Sequence, residues 1–197
     1  TTTTSLTGWL LVHGGLDPSI LVGGIARNLG RDGSSYRLGK GKDFVIEGDE
    51  YDSAYFDKTA KFLKYLPDIA VINNVEFDHA DIYADIDAVR LAFRRLVNMV
   101  PRSGLLLLGA DSPDSVALKK VAVSPVETFG LSELADWRAT DVTVSPDGQS
   151  FNVLRGGSHY ATMQIPLFGL HNVRNAMAAI AVAHTLAMPS ATIAEGL

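Results

Sequence analysis

The sequence predicts an α/β fold, a mostly parallel sheet flanked by helices with a small antiparallel patch near residues 137–168. Two observations carry this. Short, apolar, β-branched runs alternate with segments of helical spacing through the first 121 residues, which implies parallel strands joined by crossover helices. Beyond residue 137 the pattern becomes strict alternation around the turn Pro146-Asp147-Gly148, a hairpin signal.

Taken in order, residues 2–12 read as a helix with Leu6, Trp9 and Leu10 on one face, closed by Gly14-Gly15. "ILVGG" (20–24) and "FVIEG" (44–48) read as strands covered on both faces, because their apolar character is nearly continuous. "DIAVINN" (68–74) is a third strand and "GLLLLG" (104–109) a fourth. Between them Ile86, Val89, Leu91, Phe93, Leu96, Val97 and Val100 fall broadly at helical spacing until Pro101 stops the helix. Ser112 is a good N-cap for a helix running to Val121. The hairpin 141–154 and the run ending "MQIPLFG" supply the antiparallel patch. A last helix, 172–187, carries Ala176, Ala178, Ala179, Ala181 and Ala183, small enough for close packing.

The 197 residues are 47% hydrophobic and 20% charged, ordinary globular usage. A net charge of −5 with scattered Lys and Arg offers no basic face, so nucleic acid is not an expected partner. No 18-residue apolar run is present for a membrane span. With no cysteine, disulfides and thiolate metal sites are excluded. The first residue is not Met and the last stretch, "ATIAEGL", stops within a helix-like pattern, so the chain is expected to be a piece of a longer one.

Three segments could carry chemistry. In "FVIEGDEYD" three large apolar residues run into Glu47, Asp49, Glu50 and Asp52, and "NNVEFDHADIY" places Asn73, Asn74, Glu76, Asp78, His79 and Asp81 at the end of the next strand. Ligands bind at the carboxyl ends of strands in such sheets, so the two tips are expected to converge on one cation. Carboxylates with one imidazole suit Mg²⁺ or Mn²⁺, whereas a solvated turn and a structural histidine are the alternatives. "TTTTSL" places hydroxyls at a helix start, either as caps or as the follow-on of a phosphate-binding loop. In "FGLHNVRNAMAAIAVA", Asn172 and Asn175 lie one turn apart with His171 beside them. Their carboxamides either cap the helix or match the donor–acceptor edge of adenine.

Together "TTTTSLTGWLL", "FVIEGDEYDSAYFD", "INNVEFDHADIY" and "FGLHNVRNAMAAIAVA" resemble the ATP-binding central domain of the Mur ligase family, the ATP-dependent amide-bond ligases of peptidoglycan synthesis. The run from Glu50 to Asp85 looks most like the family's murein peptide ligase branch, which joins L-alanyl-γ-D-glutamyl-meso-diaminopimelate to UDP-N-acetylmuramate; the L-alanine-adding branch is the alternative. The resemblance implies a P-loop-like nucleotide-binding fold, ATP and Mg²⁺ as cofactors, and a cytoplasmic bacterial enzyme. It implies Thr1 or Thr2 on the Mg²⁺ between the β- and γ-phosphates, Glu47 as a Mg²⁺ ligand, and His79 serving a second Mg²⁺. His171, Asn172 and Asn175 would face the adenine. A Gly-x-His-Gly-Lys run is expected just before Thr1, with flanking uridine-nucleotide and amino-acid domains elsewhere in the full chain, and the piece alone is expected to be inactive. "RLAFRRLVN" holds no lysine where some relatives carbamoylate one. A non-catalytic nucleotide-binding module and a metal-dependent hydrolase are the competing readings.

Overall fold

The structure, a computed structural model, describes residues 1–30, 32–77 and 82–197, with Asp52 and Lys58 described by backbone alone. Thr1–Glu47 together with Asp136–Leu197 make one compact unit, and Gly48–Ala135 make another.

In the first unit, helix α1 (Thr2–His13) packs on β1 (Ser19–Ala26). Strand β1 pairs antiparallel with β2 (Ser34–Arg37) and parallel with β3 (Phe44–Ile46). Contact between helix and sheet is close because Gly8 faces the Ile20 side chain, where a Cβ would come within 2.8 Å of Cδ1. The buried positions of α1 are Thr7, Gly8, Leu10 and Leu11. Leu6 and Trp9, expected on its core face, instead line a cavity of about 300 Å³ with Thr1, Thr2 and Ser5. The expectation that the strands around residues 20 and 44 are covered on both faces also fails: Leu21 is 44% and Phe44 60% exposed. An apolar run does not reveal which faces neighbours will cover, and this three-stranded sheet is covered on the face of Ile20 and Val22.

The same unit holds the meander β9 (Trp137–Ser145), β10 (Gly148–Arg155) and β11 (Ser158–Ile165), antiparallel throughout. Its first turn is the expected one, with Ser145 opposite Gly148. Helix α4 (Leu170–Thr185) follows, its residues from Ala176 to Ala183 all buried, and packs on α1. Alanines at those positions let the two backbones approach without losing side-chain entropy. The helix-like pattern of the last stretch forms as a short α5 (Ser190–Gly196), whose Gly196 carbonyl accepts from Trp9 Nε1 at 2.8 Å.

In the second unit, β6 (Ile69–Ile72), β7 (Leu105–Gly109) and β8 (Val126–Gly130) are parallel and in register. Helix α2 (Ile86–Met99) makes the β6-to-β7 crossover and is capped by Asp85, whose carboxylate accepts from the Ala88 N–H. The β7-to-β8 connection is α3 (Pro113–Ala117), capped by Ser112 as expected, and a 3-10 turn to Lys120. Every residue of β7 is buried. At roughly 1.5–3 kcal/mol for each leucine removed from water, this strand is the anchor of its unit. The core around it joins Ile72, Val89, Leu96, Val97 and Phe62. A small hairpin, β4 (Asp52–Ala54) and β5 (Asp57–Ala60), precedes the sheet. Among the described residues, no helix is long and apolar enough to cross a membrane.

Candidate functional site

Glu47 is the first residue past β3, and its N–H donates to the Leu21 carbonyl, 3.0 Å, so the parallel ladder with β1 sets where its side chain starts. Its Oε1 accepts from the Thr1 hydroxyl at 2.8 Å and lies 3.1 Å from the Thr1 amino group. Its Oε2 accepts from the Gly23 N–H at 2.7 Å. Side chains here would be tight: a Cβ on Gly23 would sit 3.3 Å from both carboxylate oxygens, and one on Gly24 would sit 3.2 Å from Thr1 Cγ2, so the neighbour must give by a few tenths of an ångström. Burial raises the Glu47 pKa, but donation from Gly23 and Thr1 outweighs it and holds the carboxyl below its ordinary range. Thr1 stands at the N-cap of α1 without capping it, because its hydroxyl is directed to Glu47, 46 positions away. The simple-capping alternative for the threonine run is therefore not what Thr1 does. Thr2 is exposed on the cavity that Thr1 and Ser5 also line.

At the start of α4 the polar groups form a chain. Thr3 Oγ1 donates to Asn175 Oδ1 at 2.9 Å, Asn175 Nδ2 donates to Asn172 Oδ1 at 3.3 Å, and Asn172 Nδ2 donates to the Phe168 carbonyl at 2.9 Å. Helix capping is again not the role of the asparagines, since α4 begins after Gly169 with no side-chain cap. Gly169 has φ of 93°, and a Cβ there would lie 2.6 Å from the ring of His171, which is exposed. Buried Gln149 ties this entry down, donating Nε2 to the carbonyls of Leu167 at 2.8 Å and Gly169 at 3.2 Å. So two clusters, Glu47–Thr1–Gly23 and Thr3–Asn175–Asn172, both draw on the first turn of α1.

Gly23, Thr3 and Gln149 were missed by sequence reasoning. The Gly23-Gly24 pair at a strand end and a glutamine on the inward side of an alternating strand were the available signals. Of the two strand tips expected to converge, the second runs on into residues outside the described ones. Strand β3 pairs with β1 and β6 pairs with β7, so the tips belong to different sheets. His79, Asp78 and Asp81 lie outside the described residues. Among the described residues, no three His, Asp or Glu side chains gather as a metal-ligand set. In the acidic stretch, Asp49 is engaged by Lys61 Nζ at 3.0 Å and by the Tyr51 N–H at 2.8 Å, which makes it a turn-former.

Residues 1–183 match the model of the Mur ligase middle domain. The chain belongs to the Mur ligase family. Over 184 residues, 93% of this chain and 39% of the relative, it is 39% identical to a UDP-N-acetylmuramate–L-alanyl-γ-D-glutamyl-meso-2,6-diaminoheptandioate ligase from Haemophilus influenzae. Over 195 residues, 99% of this chain and 40% of the relative, it is 37% identical to a UDP-N-acetylmuramate–L-alanine ligase from Syntrophotalea carbinolica. The crystal structure of the UDP-N-acetylmuramate:L-alanyl-γ-D-glutamyl-meso-diaminopimelate ligase from Neisseria meningitides superposes with a TM-score of 0.87 at 39% identity, covering 100% of this chain and 61% of that one. The chain thus spans about two fifths of the length of the curated Mur ligases it matches.

Proposed function

We propose that this chain is the ATP-binding middle domain of a longer bacterial cytoplasmic ligase that joins L-alanyl-γ-D-glutamyl-meso-diaminopimelate to UDP-N-acetylmuramate. The observation that carries the proposal is the Glu47 carboxylate, held by a hydroxyl at a helix start and by a backbone N–H. The donors around it are hard oxygens and the chain has no cysteine, a donor set that fits Mg²⁺. Glu47 and Thr1 would hold one ion and His79 a second; when bound, such ions neutralise phosphate oxygens that otherwise repel an attacking carboxylate.

Within that reading, the hydroxyls of Thr1 and Thr2 and the amino end of α1 bind and orient the triphosphate end of ATP. The lactyl carboxylate of UDP-N-acetylmuramate attacks the γ-phosphorus, the bond to the β-phosphate oxygen breaks, and ADP leaves. An amine then attacks the resulting acyl phosphate, phosphate leaves with the bonding pair, and the amine loses a proton as the amide forms. Asn172 and Asn175, with His171, face the base and set its register against the phosphates. The Gly-x-His-Gly-Lys run, the uridine-nucleotide domain and the amino-acid domain belong to the parts of the full protein outside these residues.

A second amine is supported by one observation, the 37% identity over 195 residues to an L-alanine-adding relative. A single assay separates the two: full-length protein with ATP, Mg²⁺ and UDP-N-acetylmuramate, given either the tripeptide or L-alanine, with ADP and the ligated product measured by mass spectrometry. Product with the tripeptide is the expected result. Product with alanine alone replaces the substrate, and no ATP-dependent product with either sinks the ligase reading. In the same assay His79→Ala is expected to lower turnover about a hundredfold or more.

A further inference from the structure

We propose that the cavity beside α1 is a subsite for the acidic sugar of the acceptor, with Arg27 receiving its carboxylate; this rests on the reading that the full protein ligates at the lactyl carboxylate of UDP-N-acetylmuramate. The cavity, about 300 Å³, is lined by Thr1, Thr2, Ser5, Leu6 and Trp9. These positions share one face of the helix, apart from the buried Thr7, Gly8, Leu10 and Leu11 that pack inward. Its opposite wall is the end of β1 and the residues after it, from Ile25 to Leu29. His171, Asn172 and Asn175 are not among the lining residues, so the base reading leaves the cavity unassigned. Thr1 and Thr2 are, so in the same reading the cavity opens beside the phosphates that the acceptor must reach.

The lining divides as an acidic sugar requires. Trp9 spends its one donor on the Gly196 carbonyl at 2.8 Å, so what it offers a ligand is ring surface. With Leu6, Ile25 and Leu167 it makes an apolar wall for the C–H face of a pyranose and for the methyls of its lactyl and N-acetyl groups. The hydroxyls of Thr2 and Ser5 and the Asn28 carboxamide both donate and accept, as sugar hydroxyls do. Among the described residues that line the cavity, Arg27 has the one charged side chain, and it is exposed with no carboxylate of the described residues paired to it. Its guanidinium is a planar fork of donors that matches a carboxylate. The need for a cation comes from Glu47, whose Oε1 stands 2.8 Å from the Thr1 hydroxyl at the same mouth and repels a second carboxylate arriving there. The volume is at the small end of ligand sites, room for one sugar ring and not for the uridine nucleotide attached to it.

The test uses the full-length protein with Arg27→Gln and Arg27→Lys, measuring KM for UDP-N-acetylmuramate and for ATP, and the melting temperature. Calorimetry adds the binding of UDP-N-acetylmuramate and of UDP-N-acetylglucosamine, the same sugar nucleotide without the lactyl carboxylate. Losing the charge is expected to raise KM and Kd for UDP-N-acetylmuramate about tenfold in the Gln variant, with KM for ATP and Kd for UDP-N-acetylglucosamine changed less than about twofold. The preference for the acidic sugar over the neutral one then falls about tenfold, and Arg27→Lys, which keeps the charge, is expected to lose less of it. A wild-type preference in the folded Gln variant overturns the proposal, because a structural role moves the melting temperature without moving discrimination between two sugars. A KM for ATP that rises as much as that for UDP-N-acetylmuramate also overturns it, since the cavity would then serve the ATP. Failure of the wild-type protein to ligate at all is a different result, which removes the ligase reading first.

Discussion

Glu47 and the pair Asp49 and Asp57 lie within eleven positions of one another, yet the first belongs to one compact unit and the other two to the second. Asp49 and Asp57 are each answered by a lysine side chain, Lys61 at 3.0 Å and Lys64 at 2.7 Å. Glu47 is answered by the Thr1 hydroxyl and amino group at the start of α1 and by the Gly23 N–H within β1. A carboxylate matched to its own ammonium group has little charge left to offer a ligand, and on an exposed surface such a pair adds little stability. Glu47 differs in being oriented by several groups at once, a hydroxyl, a backbone N–H and an amino group, in place of one lysine side chain. The dense acidic stretch therefore divides into one residue suited to chemistry and others that shape a turn.

Substitution can break or sharpen that contrast. The largest effect is expected from Glu47→Ala, which leaves the Thr1 hydroxyl and the Gly23 N–H without their acceptor: ligation by the full-length protein should fall about a hundredfold or more with the circular dichroism spectrum unchanged. Turnover near wild type would end the argument for Glu47. Next is Gly23→Ala. The added Cβ, 3.3 Å from both Glu47 oxygens, must push the carboxylate aside, and steady-state kinetics should show kcat reduced about tenfold or more. Asp49→Asn provides the opposing arm, with kcat expected within about twofold of wild type, since Asp49 serves Lys61 and the Tyr51 N–H. A hundredfold loss there would erase the distinction between the two carboxylates.

The smallest effect is a pH dependence at Asp57. Donation from the Lys64 ammonium, then from Thr59, pulls its pKa from 3.8 to about 2. A folded-state pKa below the unfolded value means that its stabilisation is complete above the unfolded pKa and is lost as pH falls from 3.8 toward 2. Urea midpoints of wild type and Asp57→Asn should therefore differ slightly near neutrality and converge at the acid end of that window. A gap that widens as pH falls would show the sign to be wrong.

Much of the fold was legible because its signals are local. The leucine run of β7, the Ser112 cap and the Pro146-Asp147-Gly148 turn each act through their immediate neighbours, and each forms where expected. Elements without such a signal were missed: β2, the polar β4 and β8 just after Pro125. In the site, Glu47, Thr1, Asn172 and Asn175 stood out by residue type and spacing. Their partners did not. Nothing near Thr1 indicates that its hydroxyl will leave the helix start for Glu47, and nothing near Thr3 indicates Asn175, 172 positions on.

By itself the sequence determined the alternation of strands and helices, the family, and the residue types able to meet a polyphosphate, because periodicity, capping and turn chemistry operate over a few residues. Tertiary structure alone decided how each polar group is spent. Thr1 gives its hydroxyl to a carboxylate, Asn172 and Asn175 are locked into one polarity, and Asp49 is claimed by a lysine. A hydrogen bond needs its partner within about 3 Å, and for residues far apart in the chain only the packing of α1 against β1 and α4 brings the partners that close.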